Sequence, residues 1–197
     1  NVLIGSESQV KVMNNSTLVF KPIVKDGKTL GAIGVLVANA ARHFGMNVIG
    51  YDPYLSINAA WMLDSHVKKA ANYQEIFEKC DYITIHVPLM DATRGMINAE
   101  KLAMMKPTAF LVNTSRGAVV EEQALAEALN NGVIAGAGID VLEGEPMPLQ
   151  CPYRTAKNCF VTPHIGWAAQ EARARLLIEV AENIRAFSAG EKRNRVD

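Results

Sequence analysis

The sequence predicts an α/β fold on a doubly wound parallel sheet, and three observations carry that prediction. From residue 29 onward, short apolar runs of β type alternate with helical patterns. Several of those runs are apolar almost throughout, as strands covered on both faces must be. Polar residues gather just past the ends of later runs, at the edge where open α/β sheets hold ligands.

Composition sets the outer bounds. The chain has 197 residues and is 49% hydrophobic, enough for one full domain and a fragment of a second. Twenty basic residues balance 20 acidic ones, which removes the electrostatic case for nucleic acid or an anionic membrane surface. No stretch approaches the ~18 apolar residues of a membrane span. High apolar content at zero net charge excludes intrinsic disorder. Cys80, Cys151 and Cys159 show no CxxC spacing and no paired histidines. They read as thiols in a reducing compartment, hence a cytoplasmic protein with no metal site.

The elements follow in order. Residues 29–34 form the first strand candidate, and 35–44 a helix closed by Gly45. Residues 47–52 are an apolar strand ending in Asp52 and halted by Pro53. A short helix at 73–79 precedes the strand 82–87, which Pro88 stops. Asn98 is placed to cap a helix over 99–105, and Pro107 leads into the strand 109–113. Helix 121–130 aligns Ala124, Leu125, Ala128 and Leu129 on one face before Gly132 ends it. Strand 135–141 is small and apolar, and 159–162 is another short strand. The last helix, 168–189, carries Leu176, Leu177, Val180, Ala181, Ile184 and Phe187 at helical spacing. Residues 1–28 hold β-prone stretches at 2–4, 10–13 and 18–20 but do not join this rhythm, and read as the remnant of another domain or a connecting segment. The main unit is therefore expected over 29–190, with a tail at 191–197.

Asp52 is the first chemical clue. An acid at the end of a second strand receives the ribose hydroxyls of a dinucleotide, roughly 20 residues beyond a glycine-rich turn that holds the pyrophosphate. Gly31, Ala32, Ile33 and Gly34 supply two of the glycines, with Gly34 18 positions before Asp52. The first glycine of G-x-G-x-x-G would fall at Thr29 and is absent. A carboxylate at 52 with no arginine close behind it favours NAD over NADP.

Three later segments complete the picture: Leu111-Val-Asn-Thr-Ser-Arg-Gly-Ala118, Gly138-Ile-Asp-Val-Leu-Glu-Gly-Glu-Pro146 and Val161-Thr-Pro-His-Ile-Gly166. Together, and in this order, they resemble the signature segments of the D-isomer-specific 2-hydroxyacid dehydrogenases. Within that family the resemblance is to phosphoglycerate, glycerate and hydroxypyruvate enzymes, and it runs from about Lys28 to Gly190. It implies a Rossmann-type fold, NAD as cofactor and a small 2-hydroxy or 2-keto acid as substrate; a homodimer, or aggregation, is expected through the apolar stripe of helix 168–189. Arg116, Glu145 and His164 become the candidate catalytic residues. Arg116 would clamp the substrate carboxylate and carbonyl with its planar fork of donors. His164 would exchange a proton with the substrate oxygen, and Glu145 would hold its tautomer. Thr114, Ser115 and Arg116 would approach the cofactor, and Asp140 its carboxamide. His164 and Gly166 would line the nicotinamide end, out to Trp167. His86, Val87, Pro88 and Thr93 would flank the adenosine end.

Each residue also has a plainer role open to it. Arg116 fits an exposed turn, Glu145 turn chemistry before Pro146, and His86 a satisfied, partly buried histidine. Two departures stand out. The family's glycine-rich turn is about five residues longer than the stretch between Lys28 and Val35. The family also carries a substrate domain of roughly a hundred residues ahead of the cofactor domain, which 1–28 is too short to form. The absent Met at Asn1 and the length fit the cofactor part alone, and helix 168–189 is then expected to expose its apolar stripe. A non-catalytic dinucleotide-sensing module on the same fold, or an inactive fragment, is the alternative reading.

Overall fold

The computed structural model describes residues 16–20, 24–25, 28–29, 32–52 and 57–194. Its strands are β1 Ser16–Phe20, β2 Val24–Lys25, β3 Lys28–Thr29, β4 Val48–Tyr51, β5 Lys68–Lys69, β6 Tyr82–His86, β7 Phe110–Asn113, β8 Gly136–Ile139 and β9 Cys159–Val161. The helices are α1 Ala32–His43, α2 Ile57–Met62, α3 Tyr73–Lys79, α4 Ala99–Ala103, α5 Glu122–Asn130 and α6 Gln170–Ser188.

One sheet runs in the order β5-β4-β1-β6-β7-β8-β9, and every neighbouring pair in it is parallel. β1 is central, with Val19 opposite Tyr51 on one side and Ile85 on the other. The chain winds outward from β1 through β4 and β5, then returns to wind outward through β6 to β9. Right-handed crossovers in the two directions put helices on opposite faces of the sheet. The reversal at β1 also opens a crevice beyond its carboxyl end.

The N-terminal part of the sequence reading is corrected here. The strand expected over 29–34 is absent: 28–29 pairs antiparallel with 24–25, and α1 already begins at Ala32. A short apolar run fits either period, and its continuation settles the matter. Val35 and Ala38 are buried three residues apart and Ala41 packs beside them, a helical spacing. The central strand is instead Ser-Thr-Leu-Val-Phe, a β-branched and aromatic run set among turn-forming residues. Among the described residues the sheet thus starts at Ser16, ahead of the expected boundary at residue 29. The β-prone stretches 2–4 and 10–13 and the end of the tail lie outside the described residues. Helix α2 and the two-residue β5 carry patterns too short for periodicity to reveal.

Downstream, β4 and β6 to β9 fall within the expected runs. Alternation on β6 buries Ile83 and Ile85 completely, beside Ile76 and Phe77 of α3 and Leu111 of β7. Asn72 and Asn98 cap α3 and α4, accepting from Glu75 N at 3.0 Å and Lys101 N at 3.1 Å. Such caps are each worth about 1 kcal/mol. α6 packs least: Ala186 is its one buried residue, while Leu177 is 70% and Phe187 85% exposed. Among the described residues, no helix is long and apolar enough to cross a membrane.

Candidate active site

The three signature segments end on adjacent strands, and backbone bonds lace their ends together. Asp140 N donates to Asn113 O at 3.0 Å, joining β8 to β7, and Thr162 N donates to Ile139 O at 2.9 Å, joining β9 to β8. Neighbouring strands lie about 4.8 Å apart, so residues far apart in sequence meet along one edge.

At the end of β7, the buried Asn113 shapes the turn that carries Arg116. Its Oδ1 accepts from Ser115 N at 3.0 Å and Ser115 Oγ at 2.8 Å, while its Nδ2 donates to Arg116 O at 2.9 Å. The Arg116 guanidinium is exposed, with one bond from Nη1 to Ser115 O at 2.6 Å. Thr114 is exposed and Ser115 half-buried beside it. Gly117 then opens a single 3-10 turn over Gly117–Val119. A side chain there would strike the backbone of the loop after β8, since a Cβ would sit 1.9 Å from the Leu142 carbonyl carbon.

That loop carries Glu145, whose Oε2 lies 2.7 Å from His164 Nδ1. Its Oε1 accepts from Leu142 N at 2.9 Å. The bond to His164, followed by that from Leu142, holds the Glu145 carboxyl below its ordinary range. His164 has φ +52, a left-handed conformation uncommon for residues other than glycine. Asp140 fixes the backbone on both sides of it: Oδ1 accepts from Thr162 Oγ1 and from Ile165 N at 2.9 Å, and Oδ2 from Gly166 N at 2.9 Å. Burial works against the Asp140 charge, but these donors outweigh it and lower its pKa. A cavity of about 330 Å³ opens here, lined among others by Asp140, Leu142, Glu145, Met147 and His164.

The other expected residues sit nearer the crevice at β1. Asp52 follows β4 and is 7% exposed, and His86 ends β6, so the two flank the carboxyl end of β1. His86 Nε2 lies 3.0 Å from Thr84 Oγ1. Burial pushes the imidazole down to about 4, so it is neutral near pH 7 and offers no cation to a phosphate. Val87 is buried and Pro88 half-buried. The Thr93 hydroxyl accepts from Met90 N at 2.8 Å and donates to Pro88 O at 2.6 Å. Thr93 therefore shapes this loop from within. Ala32, Ile33 and Gly34 form the first turn of α1, with Gly34 buried. Gly31 lies outside the described residues.

Sequence reasoning missed Asn113 and Thr162 as organisers, although both stand inside quoted segments, because their partners lie on other strands or across a turn. It also passed over Glu122, whose Oε1 accepts from Glu143 N at 2.8 Å.

The residues present fit a dinucleotide. The sheet reverses at β1, a helix N-terminus without acidic residues in its first turn follows, and a buried carboxylate ends the neighbouring strand. The connection from β1 to α1 differs from a tight glycine turn, since it contains the β2–β3 ladder. Fold and site together define a dinucleotide-binding α/β domain with a hydrogen-bonded Glu145–His164 pair at its sheet edge.

Residues 28–166 match the family model for the D-isomer specific 2-hydroxyacid dehydrogenase, NAD binding domain. The chain belongs to that family and comprises its NAD-binding domain. It is 42% identical over 177 residues to a D-3-phosphoglycerate dehydrogenase from Methanocaldococcus jannaschii, covering 87% of this chain and 33% of that protein. It is 43% identical over 165 residues to a glyoxylate reductase from Korarchaeum cryptofilum, covering 82% and 48%. Among solved structures, the NAD complex of a formate dehydrogenase from Staphylococcus aureus superposes with a TM-score of 0.78 at 29% identity, covering 98% of this chain and 56% of that one. The chain thus spans between a third and about half of the curated relatives just described.

Proposed function

We propose that this chain is the cofactor-binding half of an NAD-dependent oxidoreductase that interconverts a small 2-hydroxy acid and its 2-keto acid. The substrate is of the phosphoglycerate, glycerate, hydroxypyruvate or glyoxylate type. The observation that carries the reading is the 2.7 Å contact between Glu145 and His164 beside the strand end that bears Arg116.

Asp52 would hold the ribose hydroxyls, with the α1 N-terminus beside the pyrophosphate. Bound there, the dinucleotide supplies the hydride. Arg116, exposed at the sheet edge, pairs with the substrate carboxylate through two parallel donors. Glu145 occupies the Nδ1 side of His164 and leaves Nε2 to face the substrate. In the reducing direction Nε2 gives its proton to the keto oxygen; in the oxidising direction it takes one from the hydroxyl. The buried carboxylate of Asp140 keeps the 162–166 backbone in the conformation that aims the ring.

A second copy of the chain is the partner we favour, supported by the exposed Leu177, Ile178, Ile184 and Phe187 on α6. The three cysteines Cys80, Cys151 and Cys159, odd in number and without CxxC spacing, support a cytoplasmic setting.

Two measurements test the reading. The first is NADH oxidation with hydroxypyruvate, glyoxylate and phosphohydroxypyruvate. The second is NADH binding followed by fluorescence. His164→Ala is expected to lower turnover by about 10²–10⁴-fold while leaving NADH affinity within about twofold. Undiminished turnover in that variant refutes the acid–base assignment. NADH binding with no turnover on any keto acid by the unaltered chain favours the non-catalytic sensing module instead.

A further inference from the structure

Glu122 stands in the first turn of α5, outside the three segments that carry the site. Its two carboxylate oxygens reach the two flanks of the segment 143–151. Oε1 accepts from Glu143 N at 2.8 Å, and Oε2 lies 4.0 Å from the Cys151 Sγ. Between those flanks lie Glu145 and Met147, which line the cavity beside His164.

The helix behind this carboxylate is firmly seated. Leu125, Ala126, Ala128 and Leu129 of α5 are all buried in the core. An acid in the first turn also sits favourably at the positive end of the helix dipole. The loop itself has less to hold it: Glu143 and Glu145 are exposed, and Arg94 approaches Glu143 only at 3.9 Å. On one side the loop backbone abuts Gly117, which leaves no room for a Cβ. Glu122 supplies a directional anchor to the backbone N–H that follows Leu142. Leu142 N in turn donates to Glu145 Oε1, which turns Oε2 toward His164.

We propose that Glu122 is a positioning residue for the acid–base pair, and that it sets Glu145 against His164 by clamping the 143–151 segment to α5. The proposal rests on the reading of His164 as the acid–base. Its action depends on reach rather than charge. Gln at this position keeps a carbonyl oxygen at the same distance and accepts the Glu143 N–H. Asp keeps the charge but is one methylene too short.

The test is a comparison of Glu122→Gln, Glu122→Asp and Glu122→Ala in the full chain. Long-range 1H–15N correlation of the imidazole nitrogens, with His164→Ala giving the assignment, reports which ring nitrogen of His164 carries the proton. Held by Glu145, the neutral ring is fixed with its proton on Nδ1; released, it moves to the Nε2–H form that free histidine prefers. We expect Glu122→Gln to match the unaltered chain, and Glu122→Asp and Glu122→Ala to lose the Nδ1–H pattern. In turnover, Asp and Ala lower kcat by on the order of tenfold, with KM for NADH within about twofold. An unchanged imidazole pattern in both Asp and Ala overturns the proposal, and so does a Gln variant that behaves like Asp. The Gln and Asp variants, nearly isosteric with Glu or shorter than it, keep the test open if Ala does not fold. If NADH neither binds nor is oxidised while the pattern responds as described, the functional reading fails and the clamp stands.

Discussion

Gly117→Ala puts a methyl group into backbone. The new Cβ would lie 1.9 Å from the Leu142 carbonyl carbon, 2.2 Å from its oxygen and 2.3 Å from Glu143 N. Carbon contacts settle near 3.5–4.0 Å, so either the 116–118 turn or the 142–143 backbone must retreat by about 1.5 Å. Neither can yield freely. The turn is tied through Arg116 O to the buried Asn113, and the loop through Leu142 N to Glu145 and Glu143 N to Glu122. Forced overpacking of this kind costs about 1–3 kcal/mol, and contact with backbone argues for the upper end. The catalytic loss should be steeper, because a displacement of about 1 Å at a reacting group costs roughly 10²-fold. Urea unfolding followed by far-UV circular dichroism measures the first, and NADH-linked turnover at saturating NADH measures the second. An alanine variant with unchanged midpoint and unchanged turnover would falsify the close apposition of the Arg116 turn and the Glu145 loop.

Other expectations follow from the titrating groups. His86, ordinarily at 6.5, is held at about 4 in the folded chain, so protons bind the unfolded state first as pH falls. Its contribution is complete above pH 6.5 and lost between 6.5 and 4. At 1.36 kcal/mol per pH unit this comes to about 3 kcal/mol. Unfolding free energies across that range should show this slope, and His86→Gln should flatten it; an equal slope in the variant contradicts the assignment. The depressed Glu145 carboxyl makes the His164 pairing persist below the ordinary carboxylate range and vanish as pH falls through its folded value. Imidazole 15N shifts in an acid titration read this directly, and loss of the pairing above that range would count against it. Asp140→Asn replaces an acceptor of three donors with an amide, and should lower stability by about 2 kcal/mol and turnover with it. Denaturation midpoints check this, and no change would remove Asp140 from its anchoring role.

The sequence was most legible where local pattern and tertiary role coincide. The runs at β4, β6 and β7 are apolar, bounded by Pro or Gly, and alternate buried with half-buried positions, so period and burial agree. Asn98 could be read as a cap because the cap bond spans only three residues. At 16–20 the β-prone stretch 18–20 was legible, but its place at the centre of the sheet was not, because that comes from β4 and β6, which lie further along the chain. The 29–34 stretch was ambiguous because six apolar or small residues fit both periods. In the site, Arg116, Glu145 and His164 were singled out through the family resemblance of their segments, which stand at the ends of three adjacent strands. Asn113, Thr162 and Glu122 act through bonds to other strands or loops, which spacing does not encode. Thr93 and Asp140 were legible as positions, but the Thr93 hydroxyl is engaged by its own loop and the Asp140 carboxylate by the 162–166 segment after β9.

The proposed dinucleotide site runs along the carboxyl edge of this sheet, with Asp52 at the ribose. Fluorescence titration of the chain with NADH, beside the same titration of Asp52→Ala, tests it most directly. Saturable binding is expected of the unaltered chain, with affinity weakened about tenfold or more in Asp52→Ala by loss of the charged hydrogen bonds. A titration that never saturates, or one that Asp52→Ala leaves untouched, would contradict it.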